Sequence, residues 1–437
     1  MLYSDRANSR HRSPEEDLSS GLRVAVVHEW LSTLGGSERV LREILLLYPH
    51  ADLFAVVDFL PQDQRALIGD RKVNVSFVQH LPLARKNFRW YLPLMPFAME
   101  QLNLSPYDLV ISSSHAVSKG VLTKSHQLHI SYVHSPIRYA WDLQEQYLDR
   151  AAGVGIAKSA MARILMHYLR IWDIRTSTGV DCFIANSRFV ANRIMKTYRR
   201  AATVLYPPVN VESVRFSEQK EAFYVTVSRL VAYKRVDLLL AAFAELPTRE
   251  LVVIGDGPEL SKLRRNPPPN VHFTGSLSNS EVNDYLARAR AFVYAGEEDF
   301  GIAMVEAQAC GTPVLAFARG GAAEIVIDGQ TGLLFARQTS EDIVSTVSEF
   351  ERRWHFDPAR IRRNARRFEA SRFTDGFRTI VNNAIREQRP VASDSDFDVR
   401  DDKGTARALT IAYANEASSY SGASTGRTKS GRPLLSN

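Results

Sequence analysis

The chain is poor in cysteine and has no long apolar run. Its 437 residues include two cysteines, Cys182 and Cys310, each inside an apolar stretch, which excludes a disulfide framework and favours buried reduced thiols over a zinc site. No uninterrupted apolar run approaches the roughly 20 residues of a membrane-spanning helix. The opening segment MLYSDRANSRHRSPEEDLSS lacks the apolar stretch of a secretory signal, so the cytoplasm is the expected location. With 45% hydrophobic and 24% charged residues, a mostly disordered or collagenous chain is disfavoured. The length exceeds what one hydrophobic core usually spans, which predicts two or three domains.

Charge is unbalanced toward the basic side. Lys plus Arg minus Asp plus Glu is 55 − 48 = +7, and the excess is local. Eight arginines fall between Glu351 and Arg372, against Glu351, Asp357 and Glu369. A second cluster interleaves cations with aromatics: Arg85, Lys86, Phe88, Arg89, Trp90 and Tyr91, continuing to Met99. That mixture suits peripheral contact with an anionic membrane, on the inner face of the cytoplasmic membrane. A solvated arginine face and an aromatic segment packed on a core explain the same residues without a partner. Nucleic acid is not an expected partner, because no groove-reading or stacking motif accompanies the charge.

Between two polar ends, residues 1–20 and 389–437, which read as disordered tails, short apolar runs alternate with helix-period segments. This is the pattern of parallel sheets with crossover helices. Strands are expected at 23–28, 52–57, 108–112, 130–133, 181–185 and 203–205, then at 223–228, 251–255, 271–274, 291–295, 313–316 and 332–335. Helices are expected at 236–246, 280–288, 302–310 and 340–353. Tyr206-Pro207-Pro208-Val209-Asn210 can continue neither a helix nor a central strand. It is read as a linker between a first domain, 21–205, and a second, 211–370, with a helix over 371–388 returning to the first. The fold class is therefore α/β: two Rossmann-like doubly wound parallel-sheet domains facing across a cleft.

Three groups of residues could carry chemistry. Gly35-Gly36, between the first strand and a helix, allow backbone N–H groups to approach an anion, although a tight turn needs the same glycines. Arg229 and Lys234, with Arg235, follow the first strand of the second series, where a ligand phosphate would bind. In the segment GEEDFGIAMVEAQACGTP, Glu298 lies in a loop and Glu306 in a helix starting near Ile302, both able to accept hydrogen bonds from vicinal hydroxyls. The free N–H groups of that helix suit phosphate oxygens.

Together with Arg229 and Lys234, the set Glu298-Asp299-Phe300-Gly301, Glu306, Cys310-Gly311-Thr312-Pro313, Gly320-Gly321 and Glu324 resembles glycosyltransferase family 4. The first half agrees through Gly35-Gly36-x-Glu38-Arg39 and through Tyr132-Val133-His134-Ser135-Pro136-Ile137-Arg138-Tyr139-x-Trp141. The latter run is similar to a bacterial subgroup of GDP-mannose-dependent mannosyltransferases. The resemblance implies the GT-B fold and transfer with retention of anomeric configuration. It places the donor diphosphate on Arg229 and Lys234, ribose hydroxyls on Glu306, and the donor sugar on Glu298 and the Phe300-Gly301-Ile302 backbone. His134 would stand beside the transferring sugar and Gly36 near the diphosphate or acceptor. Two positions depart from the family: Arg235, where glycine is common, puts close backbone approach in doubt, and Asp299, also commonly glycine, suggests a less extended loop.

The implied reaction is hexosyl transfer, with mannose from GDP-mannose as the favoured donor, to a lipid-linked oligosaccharide in exopolysaccharide or envelope polysaccharide synthesis. The nucleotide sugar is a substrate, and no cofactor or metal is expected, since fixed cations would meet the charge of the leaving phosphate. Asp394, Asp396 and Asp398 alternate but lie in the polar tail. Same-face attack, with the leaving phosphate taking the acceptor's proton, is favoured over a carboxylate nucleophile. The alternatives are a UDP-sugar donor, a nucleotide-sugar epimerase or phosphorylase on the same scaffold, or a non-catalytic basic protein binding membrane or nucleic acid.

Overall fold

The computed structural model describes residues 17–33, 35–142, 144, 156–353 and 355–388. Residues 1–16, the tail from 389 and the Asp394, Asp396, Asp398 alternation lie outside the described residues. Asp17–Ser20, expected within the first tail, form a turn: Asp17 accepts from the Ser19 amide at 3.0 Å, and the Leu18 amide donates to Asn382 at 3.1 Å.

Two parallel sheets organise the rest. β1 (Val24–Leu31), β2 (Asp52–Asp58), β3 (Val73–Val75), β4 (Leu109–Ser114), β5 (Leu128–Val133), β6 (Cys182–Ala185) and β7 (Thr203–Val204) form the first, in the order β3-β2-β1-β4-β5-β6-β7. β8 (Phe223–Val227), β9 (Glu250–Ile254), β10 (Val271–Gly275), β11 (Ala291–Tyr294), β12 (Val314–Phe317) and β13 (Gly332–Phe335) form the second, in the order β10-β9-β8-β11-β12-β13. Helices cover both faces, so the central strands are buried on both sides and read as continuous apolar runs. β4 and β5 are buried along their whole length. In register, Val26 lies opposite Leu53 on one side and Ile111 on the other. The strand order reverses between β1 and β4 and between β8 and β11. Those are the switch points where ligands bind beyond the carboxyl ends of strands.

The helix Gly36–Leu47 buries Val40, Leu41, Ile44 and Leu45, a spacing that keeps one apolar stripe against the first sheet. The helix Ala370–Gln388 does the same from the far end of the chain. It buries Phe373, Phe377, Val381 and Ala384 in the core that holds Val26 and Ile111, with Phe373 edge-on to Tyr132 at 5.7 Å. The chain thus crosses between the sheets twice, and the crossings lie side by side: the Val209 amide donates to the Phe368 carbonyl at 2.8 Å. The ring of Tyr206 stacks on Phe300 at 5.7 Å and meets Phe368 edge-on at 5.1 Å.

Candidate functional site

The second switch point gathers most of the predicted residues. Arg229 is exposed just beyond β8, and Lys234 ends the single turn Ala232–Lys234. Beyond β11, Glu298 receives the Lys234 ammonium in an ion pair and the Tyr294 hydroxyl in a hydrogen bond. Burial, with Arg138 and Arg229 nearby and Asp299 working in the opposite sense, pushes Lys234 down to about 7. Its ammonium also lies over the Tyr233 ring at 5.0 Å. Arg235 adopts the left-handed conformation, φ 53° and ψ 38°. The backbone therefore follows a path that glycine takes readily, and the arginine carries it at a steric cost.

The loop from Glu298 to Gly301 ends in a second left-handed residue, Gly301, at φ 105°. An L side chain is strained at this φ, and a Cβ there would also push aside the end of the Met304 side chain, so glycine suits the opening of the helix Ile302–Ala309. The Phe300 ring turns inward, 3% exposed, and packs on Tyr206 and Phe368, while its backbone lies close against Gly321. Asp299, which stands where glycine was expected, is held by residues of the first half. Its carboxylate receives Arg138 at 3.1 Å and also Arg193, and its carbonyl accepts from the Ser187 hydroxyl at 2.6 Å. Glu306, on the second turn of the helix, is ion-paired with Arg39 of the first half. Gly36 faces the same helix, and a Cβ there would stand 2.9 Å from Ile302 Cδ1.

At the first switch point stands a cluster that sequence reasoning missed, because His28 and His115 carry no readable spacing. His134 Nε2 lies 2.9 Å from Ser113 Oγ, which lies 3.2 Å from His28 Nδ1, and His28 Nε2 lies 3.4 Å from Glu38. The His115 ring sits 6.3 Å from that of His134. Burial, reinforced by His115 and His28, drives His134 well below the usual imidazole range, so it is neutral at physiological pH. Burial works upward on Glu38, but the bond to His28 and its charge prevail and hold it at about 2. The signal that could have found this cluster was position: His28 is in β1, and Ser113 and His134 close β4 and follow β5, all near the carboxyl edge of one sheet. Nearby, the buried Glu29 carboxylate accepts from the amides of residues 115 to 118 and fixes the β4 exit.

Of the predicted residues, Lys234 and Glu298 meet directly, and Arg229 lies close enough to act on Lys234. Glu306 and Gly36 meet across the cleft through Arg39 and Ile302, while His134 stands at the first sheet. A cavity of about 840 Å³ between the halves is lined by their chain neighbours Tyr233, Arg235 and Glu297, and not by Arg229, Lys234, Glu298 or Glu306.

The basic segments divide. Arg362 and Arg366 are engaged by Glu212 at 3.1 and 3.0 Å, so the arginine run is partly absorbed by internal contacts. The segment 85–99 leaves Trp90 69% and Phe97 53% exposed. On the helix Ile156–Ser177, Met161, Ile164, Tyr168 and Ile171 form a second exposed apolar stripe. No described helix is long and apolar enough to cross a membrane. Cys182 and Cys310 are free thiols.

Comparison with known proteins gives a match in each half. Residues 34–213 match Glycosyltransferase Family 4, and residues 211–368 match Glycosyl transferases group 1. Each half of the chain thus matches a glycosyltransferase family model, and together the matches span residues 34–368. Among curated relatives, an uncharacterized glycosyltransferase of Methanocaldococcus jannaschii is 30% identical over 178 residues, 40% of this chain and 50% of the relative. The sulfoquinovosyl transferase of Arabidopsis thaliana is 26% identical over 64% of this chain and 56% of its own. A GDP-mannose-dependent alpha-(1-6)-phosphatidylinositol monomannoside mannosyltransferase of Mycolicibacterium smegmatis is 30% identical over 40% of this chain and 54% of its own. The chain spans about half the length of these curated relatives. Two solved structures share the GT-B fold. Sucrose-phosphate synthase of Thermosynechococcus elongatus has a TM-score of 0.63 and 18% identity over 84% of this chain and 100% of its own. Anabaena HepE, solved with UDP and glucose, has a TM-score of 0.59 and 17% identity over 83% and 99%.

Proposed function

We propose that this chain is a retaining glycosyltransferase that moves mannose from GDP-mannose onto a lipid-linked oligosaccharide in exopolysaccharide or envelope polysaccharide synthesis, at the inner face of the cytoplasmic membrane. The observation that carries the reading is the pairing of Lys234 with Glu298 at the second switch point, beside the helix that opens at Gly301. An ammonium there meets a diphosphate, and a carboxylate released from it meets sugar hydroxyls. A relative named for GDP-mannose supports the donor, while the UDP and glucose bound by HepE favour a UDP-sugar as the second reading.

Departure of the nucleoside diphosphate builds negative charge on its β-phosphate. Lys234 and Arg229 meet that charge, together with the free N–H groups at the start of the Ile302–Ala309 helix. The acceptor hydroxyl attacks the face the phosphate leaves, and its proton passes to a phosphate oxygen. Glu306 accepts from ribose hydroxyls after releasing Arg39. His134, neutral and tied to Ser113, holds a sugar hydroxyl by hydrogen bonding. The exposed Trp90 and Phe97, beside Arg85, Lys86 and Arg89, supply the apolar and cationic contacts of a membrane interface.

Melting shifts against GDP, UDP, ADP and their sugars test the donor: GDP and GDP-mannose are expected to raise Tm most, by mass action on the folded state. Labelled donor with membranes tests transfer. Lys234→Ala and Glu306→Ala are each expected to lower turnover by orders of magnitude at unchanged far-UV circular dichroism. Retained activity in both variants excludes this site.

A further inference from the structure

The cavity of about 840 Å³ lies on the other side of the switch points from β2 and β9. Its walls come from the segments after β5 and β6 in the first sheet and after β8, β11, β12 and β13 in the second. Its size is that of a site for a ligand of several chemical groups. Five arginines line it, Arg138, Arg188, Arg193, Arg235 and Arg319, and no lysine does.

The carboxylates in its walls are already engaged. Asp142 and Glu297 lie 3.2 and 3.9 Å from Arg193. Glu324 accepts the amides of Arg188 and Phe189 at 2.9 and 3.0 Å and the Tyr206 hydroxyl at 3.0 Å. The guanidinium groups of Arg188 and Arg319 are exposed and have no carboxylate partner among the described residues. Arg138 directs Nη1 to Asp299, while its buried Nε has no hydrogen-bond partner among the described residues. The positive charge is therefore in surplus, and it is carried by planar forks that match phosphate oxygens two at a time.

We propose that this cavity binds a phosphoryl group of the acceptor, with Arg188 and Arg319 as its principal contacts. The acceptor is then a sugar phosphate or diphosphate, free or lipid-linked, entering from the side opposite the nucleotide. This rests on the glycosyl-transfer reading for the identity of the ligand, but not for the presence of an anion site.

Inorganic pyrophosphate is the probe, and Lys234→Ala removes the competing diphosphate site. Pyrophosphate is expected to bind Lys234→Ala by calorimetry, and at least tenfold more weakly once Arg188→Ala and Arg319→Ala are added. In the otherwise native chain, the two arginine changes should raise KM for a sugar-phosphate acceptor tenfold or more and leave the nucleotide melting shift in place. An affinity for pyrophosphate indifferent to both arginines overturns the proposal, as does the absence of pyrophosphate binding to Lys234→Ala. Should Lys234→Ala not fold, the same titration runs on native chain saturated with nucleotide, with the same two outcomes. Arginine-dependent pyrophosphate binding in a protein that no nucleotide stabilises overturns the transfer reading while upholding the anion site. A sugar 1-phosphate and a short-chain lipid diphosphate sugar, compared as competitors of pyrophosphate, separate the free from the lipid-linked source.

Discussion

At Lys234, burial and two neighbouring arginines bring the ammonium down to about 7 against the charge-favouring pair with Glu298, so it gives up its proton far more readily than an ordinary lysine. A diphosphate beside it favours the charged form, which raises its pKa on binding. Donor binding must therefore take up protons, little at pH 6, where the lysine is already charged, and more toward pH 8. Calorimetry of nucleotide binding in two buffers of different ionisation enthalpy reads this directly. Uptake that does not grow between pH 6 and 8 removes Lys234 from contact with phosphate. Arg235 offers a second test at this scale. A side chain in the left-handed region costs about 1–2 kcal/mol, and its pairing with Asp237 at 3.1 Å is exposed and contributes ~0–1 kcal/mol. Arg235→Gly is accordingly expected to stabilise the chain by about 1 kcal/mol, seen as a higher urea midpoint at unchanged slope. Both residues were visible in the sequence, but neither their charge state nor their backbone conformation was, because each depends on what packs around it.

At the scale of elements, apolar runs and turn residues made most strands and the Ile302–Ala309 helix legible, since parallel strands buried on both faces leave a continuous signal. β3 escaped because Val73–Val75 is three residues long, and β7 is shorter than expected because an edge strand needs little pairing. The histidines at the ends of β1, β4 and β5 escaped for another reason: parallel strands bring them together from positions far apart in the chain. Buried histidines, His129 near the start of β5 among them, give the first sheet a pH response. His129 in β5 donates through Nδ1 to the Gly179 carbonyl at 3.0 Å and accepts through Nε2 from Ser112 at 2.9 Å. Burial, against the opposing pull of Gly179 and Asp181, pushes it down to about 4. The unfolded chain takes its proton near 6.5 and the folded chain does not until about 4. Stability is therefore complete above 6.5 and lost as pH falls through that window, by roughly 3 kcal/mol for this residue. His115 and His134, also lowered by burial, add in the same direction. Urea unfolding at pH 7.5 and pH 5.0 is expected to show a loss of several kcal/mol, smaller in His129→Gln. Equal losses in the two proteins place the acid sensitivity elsewhere.

Across the whole molecule, ion pairs join the halves, and no sequence pattern announces such pairs. Arg39 was quoted for its family match and Glu306 for its expected hold on ribose, yet the fold pairs them with each other. The same holds for Asp299 with Arg138 and Arg193. These bridges span the cleft, the two chain crossings lie side by side at Val209 and Phe368, and Tyr206 stacks on Phe300 of the Glu298–Gly301 loop. If Glu306 is to grip a ribose, it must first leave Arg39, so the ion pair competes with the nucleotide. Both side chains are partly exposed, 38% for Arg39 and 15% for Glu306, which limits the pair to about 0.2–1 kcal/mol. Arg39→Ala is then expected to tighten nucleoside diphosphate binding by up to about fivefold, while leaving inorganic pyrophosphate, which has no ribose, unaffected. Equilibrium titration of both ligands against native and variant protein separates the two effects. Weaker nucleotide binding in Arg39→Ala makes the arginine itself a nucleotide contact, and equal tightening toward pyrophosphate assigns the gain to an opened cleft rather than to a freed Glu306.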